Sequence, residues 1–217
     1  MKNKLSKLKT ILLLFILLLL FTYIKVYSYT ETLSTSLSSN ILRLHIIANS
    51  NSSSDQLFKL KCRDKIVEYI NNNIDIKKTT KESITHFLSN NIDNLYQICN
   101  NLSLENNSNY SFNISLSNSY FPTKQYGKIL VPNGNYDCLK IEIGNSNGNN
   151  WWCCLFPPLC FTENSTSIDI EKTEKISENI IGKNLSIEES DILLNSKTKP
   201  DIHLKFKLLE IFNTKIK

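Results

Sequence analysis

The pattern of apolar and polar positions changes period along the chain, and each change marks a boundary. From Ile11 to Phe21 the sequence is an unbroken apolar run that fades through Tyr23 and Ile24. Ile41–Ile47 alternates, with Leu42, Leu44 and Ile46 pointing one way and Arg43 and His45 the other, as in a strand. An Asn/Ser turn over 49–54 follows. Ser53 and Gln56 have the spacing of a capping box, which predicts a helix from there to about Ile70. Thr79 or Thr80 caps a second helix, in which Ile84, Leu88, Ile92, Leu95, Cys99 and Leu102 keep helical spacing and His86 falls on the solvated face.

From Tyr110 the period becomes two. Strands are predicted at Tyr110–Leu116, Lys128–Val131, Asp137–Ile143 and Trp151–Phe156. Pro132-Asn133-Gly134 supplies a hairpin turn between the second and third of these, and Gly/Asn-rich residues 144–150 form a loop. Residues 162–199 are polar, with a short helix around Ile170–Ile181. Ile202, Leu204 and Phe206 then alternate with His203, Lys205 and Lys207 in a final strand before a short helical tail. An N-terminal strand and two helices followed by a mostly antiparallel sheet make a single α+β domain over residues 41–217.

The apolar run at the start belongs to something else. Lys2, Lys4, Lys7 and Lys9 precede it with no acidic residue among them. Its length fits the core of a signal peptide and falls short of the roughly 20 residues that span a bilayer. Val26 and Ser28 occupy the −3 and −1 positions of a cleavage site, which makes residues 1–28 a signal peptide. An uncleaved N-terminal anchor is the alternative, and either places the rest of the chain across a membrane. Ser/Thr-rich residues 29–40 read as a spacer.

This segment changes the meaning of the charge. The formal net charge of +5 is contained in the five lysines before residue 29, so residues 29–217 are formally neutral. That leaves no general electrostatic footprint for nucleic acid, and no nucleic-acid partner is expected. All six cysteines lie in the exported part, where disulfides are permitted. Cys153 and Cys160 flank Pro157-Pro158, which can turn the chain and bring their side chains together; two free thiols packed as small hydrophobes are the alternative. With no C-x-x-C pair and three widely separated histidines (His45, His86, His203), neither metal nor cofactor is expected.

Two stretches carry candidate chemistry. On the first helix, Phe58, Cys62, Ile66, Tyr69 and Ile70 form an apolar face, yet Asp55, Lys59 and Arg63 run down its middle at i, i+4 and i+8. Buried charges must find partners, because desolvation costs several kcal/mol per ion. They pair with one another, with another part of the chain, or with a binding partner, and Arg43 and His45 are the nearest candidates to join them. A structural network at the strand–loop–helix junction is the competing account. His45 with Asp55 also suggests general base work, but no nucleophile motif such as G-x-S-x-G accompanies them. The second stretch is Asn150 to Phe161, containing Trp151 and Trp152. Adjacent strand residues face opposite sides, so either one tryptophan is an exposed anchor or the strand is central and buried on both faces.

Leu42 to Ser50, followed by Asp55-Gln56 and Lys59 to Asp64, closely resembles the opening motif of the stage II sporulation protein R family. Phe121-Pro122-Thr123-Lys124 with Tyr126-Gly127, then Asn150 to Cys153 and Leu155 to Phe161, are similar to its second half. Lys205 to Glu210 resembles its end, while residues 162–199 match poorly. The resemblance implies a signal of endospore formation, secreted from the forespore into the intermembrane space. It implies a protein ligand there, with no enzyme activity of its own, that activates a membrane-embedded aspartic peptidase of the mother cell to process pro-sigma-E. Arg43, His45, Asn49, Asp55, Lys59, Arg63, Trp151 and Trp152 are then the expected partner-binding residues, with no catalytic residue among them. The opposing reading is an extracytoplasmic cell-wall-acting hydrolase using His45 and an acidic partner.

Overall fold

The computed structural model describes residues 2–75, 78–160 and 167–194. The chain divides into two units, residues 1–37 and 38–217. The first unit is helical throughout its described length: α1 (Lys2–Asn40) carries the apolar run and continues through the Ser/Thr-rich stretch, ending three residues inside the second unit. Among the described residues, no helix is long and apolar enough to cross a membrane.

The second unit is α+β. Its described elements are β1 (Leu42–Ile47), α2 (Ser53–Asn73), α3 (Lys81–Asn90), α4 (Ile92–Glu105), β2 (Phe112–Phe121), β3 (Lys124–Tyr126), β4 (Ile129–Val131), β5 (Gly134–Ile143), β6 (Asn150–Phe156), α5 (Ser167–Asn184) and α6 (Ile187–Leu194). Four strands form a sheet in the order β2-β5-β1-β6. β1 lies between β5, to which it is parallel, and β6, to which it is antiparallel; β2 and β5 pair antiparallel over their whole length.

The expected hairpin at Pro132-Asn133-Gly134 is not formed between its neighbours. β4 pairs with β3 in a separate two-stranded sheet, while β5 pairs with β2 in a register matching Phe121 to Gly134. The β3–β4 hairpin is thus an excursion from the β2–β5 connection. Short-range turn chemistry located the bend but could not choose the partner, because β2 offers β5 ten residues of pairing and β4 offers three.

Strand alternation sorts the core. Leu42, Leu44, Ile46, Leu139 and Ile141 are fully buried on one face of the sheet. α2 packs against β1 and α4, while α3 and α4 pack against β2. Phe58 of α2 stacks at a tilt on Tyr110 and Phe112, with ring centroids 4.8 and 6.2 Å apart. Full burial of each large aliphatic side chain contributes about 1.5–3 kcal/mol, which makes this layer the main source of stability.

The second predicted helix is two. Asn91, at φ −122° and ψ 17°, ends α3 and begins α4. Its side-chain oxygen accepts hydrogen bonds from Tyr69 Oη and Asn94 Nδ2. The break escaped the hydropathy pattern because Ile84, Leu88, Leu95, Cys99 and Leu102 all reach the core across it. Thr80 caps α3, His86 is exposed, and the predicted final strand lies outside the described residues.

Candidate functional site

The loop between β1 and α2 is where the charged residues of the sequence motif begin. Ser52, one residue before the expected cap, accepts the backbone N–H of Asp55 at 3.2 Å and starts the helix, while Gln56 Nε2 donates to Ser50 O at 2.8 Å. Asp55 turns inward from the first helical turn. Its carboxylate accepts Asn49 Nδ2 at 2.8 Å, Ser50 Oγ at 2.6 Å and Tyr110 Oη. These hydroxyl donors, Ser50 foremost and Tyr110 next, hold its pKa down at about 2. The same interaction raises the Tyr110 phenol above its ordinary value.

Asn49 then fastens a second loop. Its Oδ1 accepts Asn145 N at 2.9 Å, its carbonyl accepts Asn147 N, Ala48 O accepts Gly148 N, and Asn51 Oδ1 accepts Asn149 N. Residues 48–51 and 144–149 are therefore stitched together at one end of the sheet. Gly144 has φ +56°, and a Cβ there would strike the Asn49 carboxamide; one at Gly148 would strike Ser50 O. Both glycines are required by this close approach.

Lys59 and Arg63 are buried but do not pair with Asp55. Lys59 Nζ donates to Gln56 Oε1 at 2.6 Å and to Asn149 O at 3.0 Å, and desolvation, with Arg63 nearby, lowers its pKa. Arg63 Nε donates to Asp64 Oδ1 at 2.7 Å, its Nη2 lies 2.6 Å from the same oxygen in the ion pair, and its guanidinium lies 4.4 Å from the Trp151 ring centre. The line read along the helix is thus three separate attachments, to the β1–α2 loop, to the 144–149 loop and to Trp151. Removal of Arg63 does not strand Asp55.

Arg43 and His45 are not part of that line. They alternate with Leu42, Leu44 and Ile46, and so occupy the sheet face opposite the layer that packs on α2. Arg43 has no exposed surface. Its Nε donates to Cys153 O at 3.1 Å, its Nη2 approaches Tyr126 Oη at 3.4 Å, and its guanidinium lies over Phe121 and Tyr136 at 4.5 and 5.2 Å. His45 stacks on Trp152 and meets Phe121 edge-on. Its Nε2 is 2.8 Å from Asn150 Oδ1, and burial lowers its pKa, which keeps the imidazole neutral at neutral pH. The His45–Asp55 dyad considered above is not formed, since Asp55 is engaged by Asn49, Ser50 and Tyr110.

Among the described strands, β6 lies at the edge of the sheet. Trp151 and Trp152 are both half-buried, Trp151 paired with Ile46 and Trp152 with His45, on opposite faces. Cys153 and Cys160 are joined by a disulfide across the Pro157-Pro158 turn, while Cys62, Cys99, Cys138 and Cys154 are buried free thiols. Sequence reasoning missed Lys124, Tyr126 and Tyr110. Lys124 Nζ lies 4.9 Å from the Trp151 ring centre and 6.0 Å from that of Tyr126. Its only signal was membership of the Phe121–Lys124 motif, because β3 is too short to show a period. Among the described residues no group of His, Cys, Asp or Glu is arranged to hold a metal ion.

The segment carrying these features also carries the likeness to known proteins. Residues 38–166 match the family model described as stage II sporulation protein R. The chain is 31% identical over 180 residues to the stage II sporulation protein R of Bacillus subtilis (strain 168), covering 78% of each chain. No solved structure matches.

Proposed function

The chain belongs to the stage II sporulation protein R family, and on that premise we propose that it is a secreted signal of sporulation that activates a membrane-embedded aspartic peptidase. It is exported from the forespore into the intermembrane space, using residues 1–28 as its signal, and the activated peptidase processes pro-sigma-E. The protein acts as a ligand, in stoichiometric relation to its receptor.

The observation that carries this reading is the coincidence of the family match with the stitched end of the sheet. Residues 38–166 contain both loops, α2, the two tryptophans and Lys124. What they assemble is two half-buried tryptophans, with the buried Arg63 and the half-buried Lys124 against Trp151; tryptophan and arginine are the residue types enriched at protein interfaces. The membrane is engaged only during export or through an uncleaved N-terminal segment.

The test is reconstitution. Purified full-length chain added to membranes carrying the peptidase and its sigma precursor is expected to produce cleavage that saturates near equimolar ratio. Arg63→Ala and His45→Ala, scored for both exported level and cleavage, then locate the contact. Normal level with reduced cleavage supports a recognition role, and normal cleavage in both variants removes it from this surface. Absence of cleavage with the unmodified chain overturns the activation reading.

A further inference from the structure

α2 and α4 pack side by side in opposite directions, and polar contacts at the two ends of α4 fix their register. At one end Lys61 Nζ donates to Asn106 Oδ1 at 2.6 Å. At the other, Tyr69 Oη donates to Asn91 Oδ1 at 2.9 Å and accepts Asn94 Nδ2 at 3.2 Å. Between these ends the thiols of Cys62 on α2 and Cys99 on α4 are hydrogen-bonded to each other. Neither has any exposed surface. One turn to either side, Phe58 and Ile66 of α2 and Leu95 and Leu102 of α4 are buried as well, so the two sulfurs sit within the apolar seam between the helices.

The other cysteines are out of reach. In the strand register Cys138 and Cys154 both stand opposite Arg43, on either side of β1, and so occupy the sheet face opposite the layer that packs on α2. Two strand spacings, about 9–10 Å, separate them from each other, whereas a disulfide needs Cα atoms within about 7 Å. Their sulfurs are engaged elsewhere: Cys154 Sγ donates to Phe156 O at 3.2 Å, and Cys138 Sγ lies 3.5 Å from Ser117 Oγ. Cys153 is already joined to Cys160. That leaves Cys99 as the one thiol that Cys62 meets.

We propose that Cys62 and Cys99 form a second disulfide, which staples α2 to α4 in the exported protein. This rests on the reading that the chain is exported, and it adds a covalent step to its folding. The thiolate of one cysteine attacks an external disulfide, displacing one thiolate and forming a mixed disulfide; the thiolate of the other cysteine then displaces the second. The bond between Cys62 and Cys99 forms and that of the external disulfide breaks. The two cysteines lose two electrons to it, and the two released thiolates carry away the two protons. In the packed helices neither sulfur meets solvent, and the hydrogen bond with Cys99, followed by burial, raises the Cys62 pKa. The attacking thiolate therefore forms before α4 settles on α2, and burial afterwards shields the closed bridge.

Full-length protein in non-ionic detergent is unfolded in urea with dithiothreitol, then refolded in mixed oxidised and reduced glutathione. Non-reducing peptide maps should link Cys62 to Cys99 and Cys153 to Cys160, with Cys138 and Cys154 alkylated. A staple that closes so long a loop should raise the urea midpoint by about 1–2 M. The rise is read as the lead of wild type over the Cys62→Ala/Cys99→Ala double variant in glutathione, less the same lead in dithiothreitol. Dithiothreitol opens the 153–160 bridge in both chains, and the subtraction removes the cost of the cavity left by alanine. Cys62 and Cys99 both alkylated beside an intact 153–160 bridge would overturn the proposal, as would Cys62 linked to any other cysteine or a lead equal in the two buffers. The peptide map uses the wild-type chain alone, so it decides the matter even where the double variant fails to fold. Protein recovered from sporulating cells separates the bridge from the export reading. A pair that closes in the purified chain, while all six cysteines of the cellular chain are alkylated, defeats export into an oxidising space alone.

Discussion

Asp55 offers the cleanest quantitative test of how the opening motif works. Replacing it with Asn keeps the volume but removes the charge, and places an amide donor where Asn49, Ser50 and Tyr110 already donate. The carboxyl pKa drops from an ordinary 3.8 to about 2. At about 1.4 kcal/mol per unit, that sets a ceiling of about 2.5 kcal/mol on what its ionisation contributes. Solvent at the half-exposed loop around Asn49 and Ser50 screens part of this, leaving about 1–2 kcal/mol. The sign follows from the depressed pKa: the contribution is complete above about pH 4 and is lost as pH falls towards 2. Urea denaturation of wild type and Asp55→Asn should therefore differ by about 1–2 kcal/mol at pH 7, and the gap should shrink by more than half at pH 2.5. Because the comparison is between two chains, acid loss from Asp137, Glu142 and other carboxylates cancels. A gap below about 0.5 kcal/mol at pH 7, or one that persists unchanged in acid, would refute the assignment of Asp55 as the anchor of the two loops.

Two further outcomes are expected. Cys153→Ser or Cys160→Ser should lower stability by about 2–3 kcal/mol, as expected for a short closed loop, and non-reducing peptide maps should show the 153–160 pair; finding both residues alkylated would remove the bridge. Mass spectrometry of exported protein should give an N-terminus near Tyr29, whereas full-length chain extracted only from membrane would make residues 1–28 an anchor.

Much of the fold was legible because its signals are local. Four serines and asparagines before an apolar helical face located α2, Thr80 capped α3, and the change of period after Tyr110 announced the sheet. The charged positions Asp55, Lys59 and Arg63 were visible as anomalies on an apolar arc for the same reason. Their partners were not, because Tyr110, Asn149 and Trp151 lie 55, 90 and 88 residues away from them in the chain.

What the sequence determined by itself, then, is which residues are buried and which of them are out of place there. Alternation put Arg43 and His45 on the face opposite Leu44, and helical period put Asp55, Lys59 and Arg63 inside. Which strands pair was decided only in three dimensions: β1 entered the middle of the sheet beside β5 and β6, and the β3–β4 hairpin became a separate sheet that brings Lys124 and Tyr126 to Arg43 and Trp151. The physical reason is that strand pairing is a contest of total buried area and hydrogen bonds over the whole chain. A three-residue strand such as β3 is too short to declare its side of that contest in its own sequence, so the tertiary structure alone places its lysine.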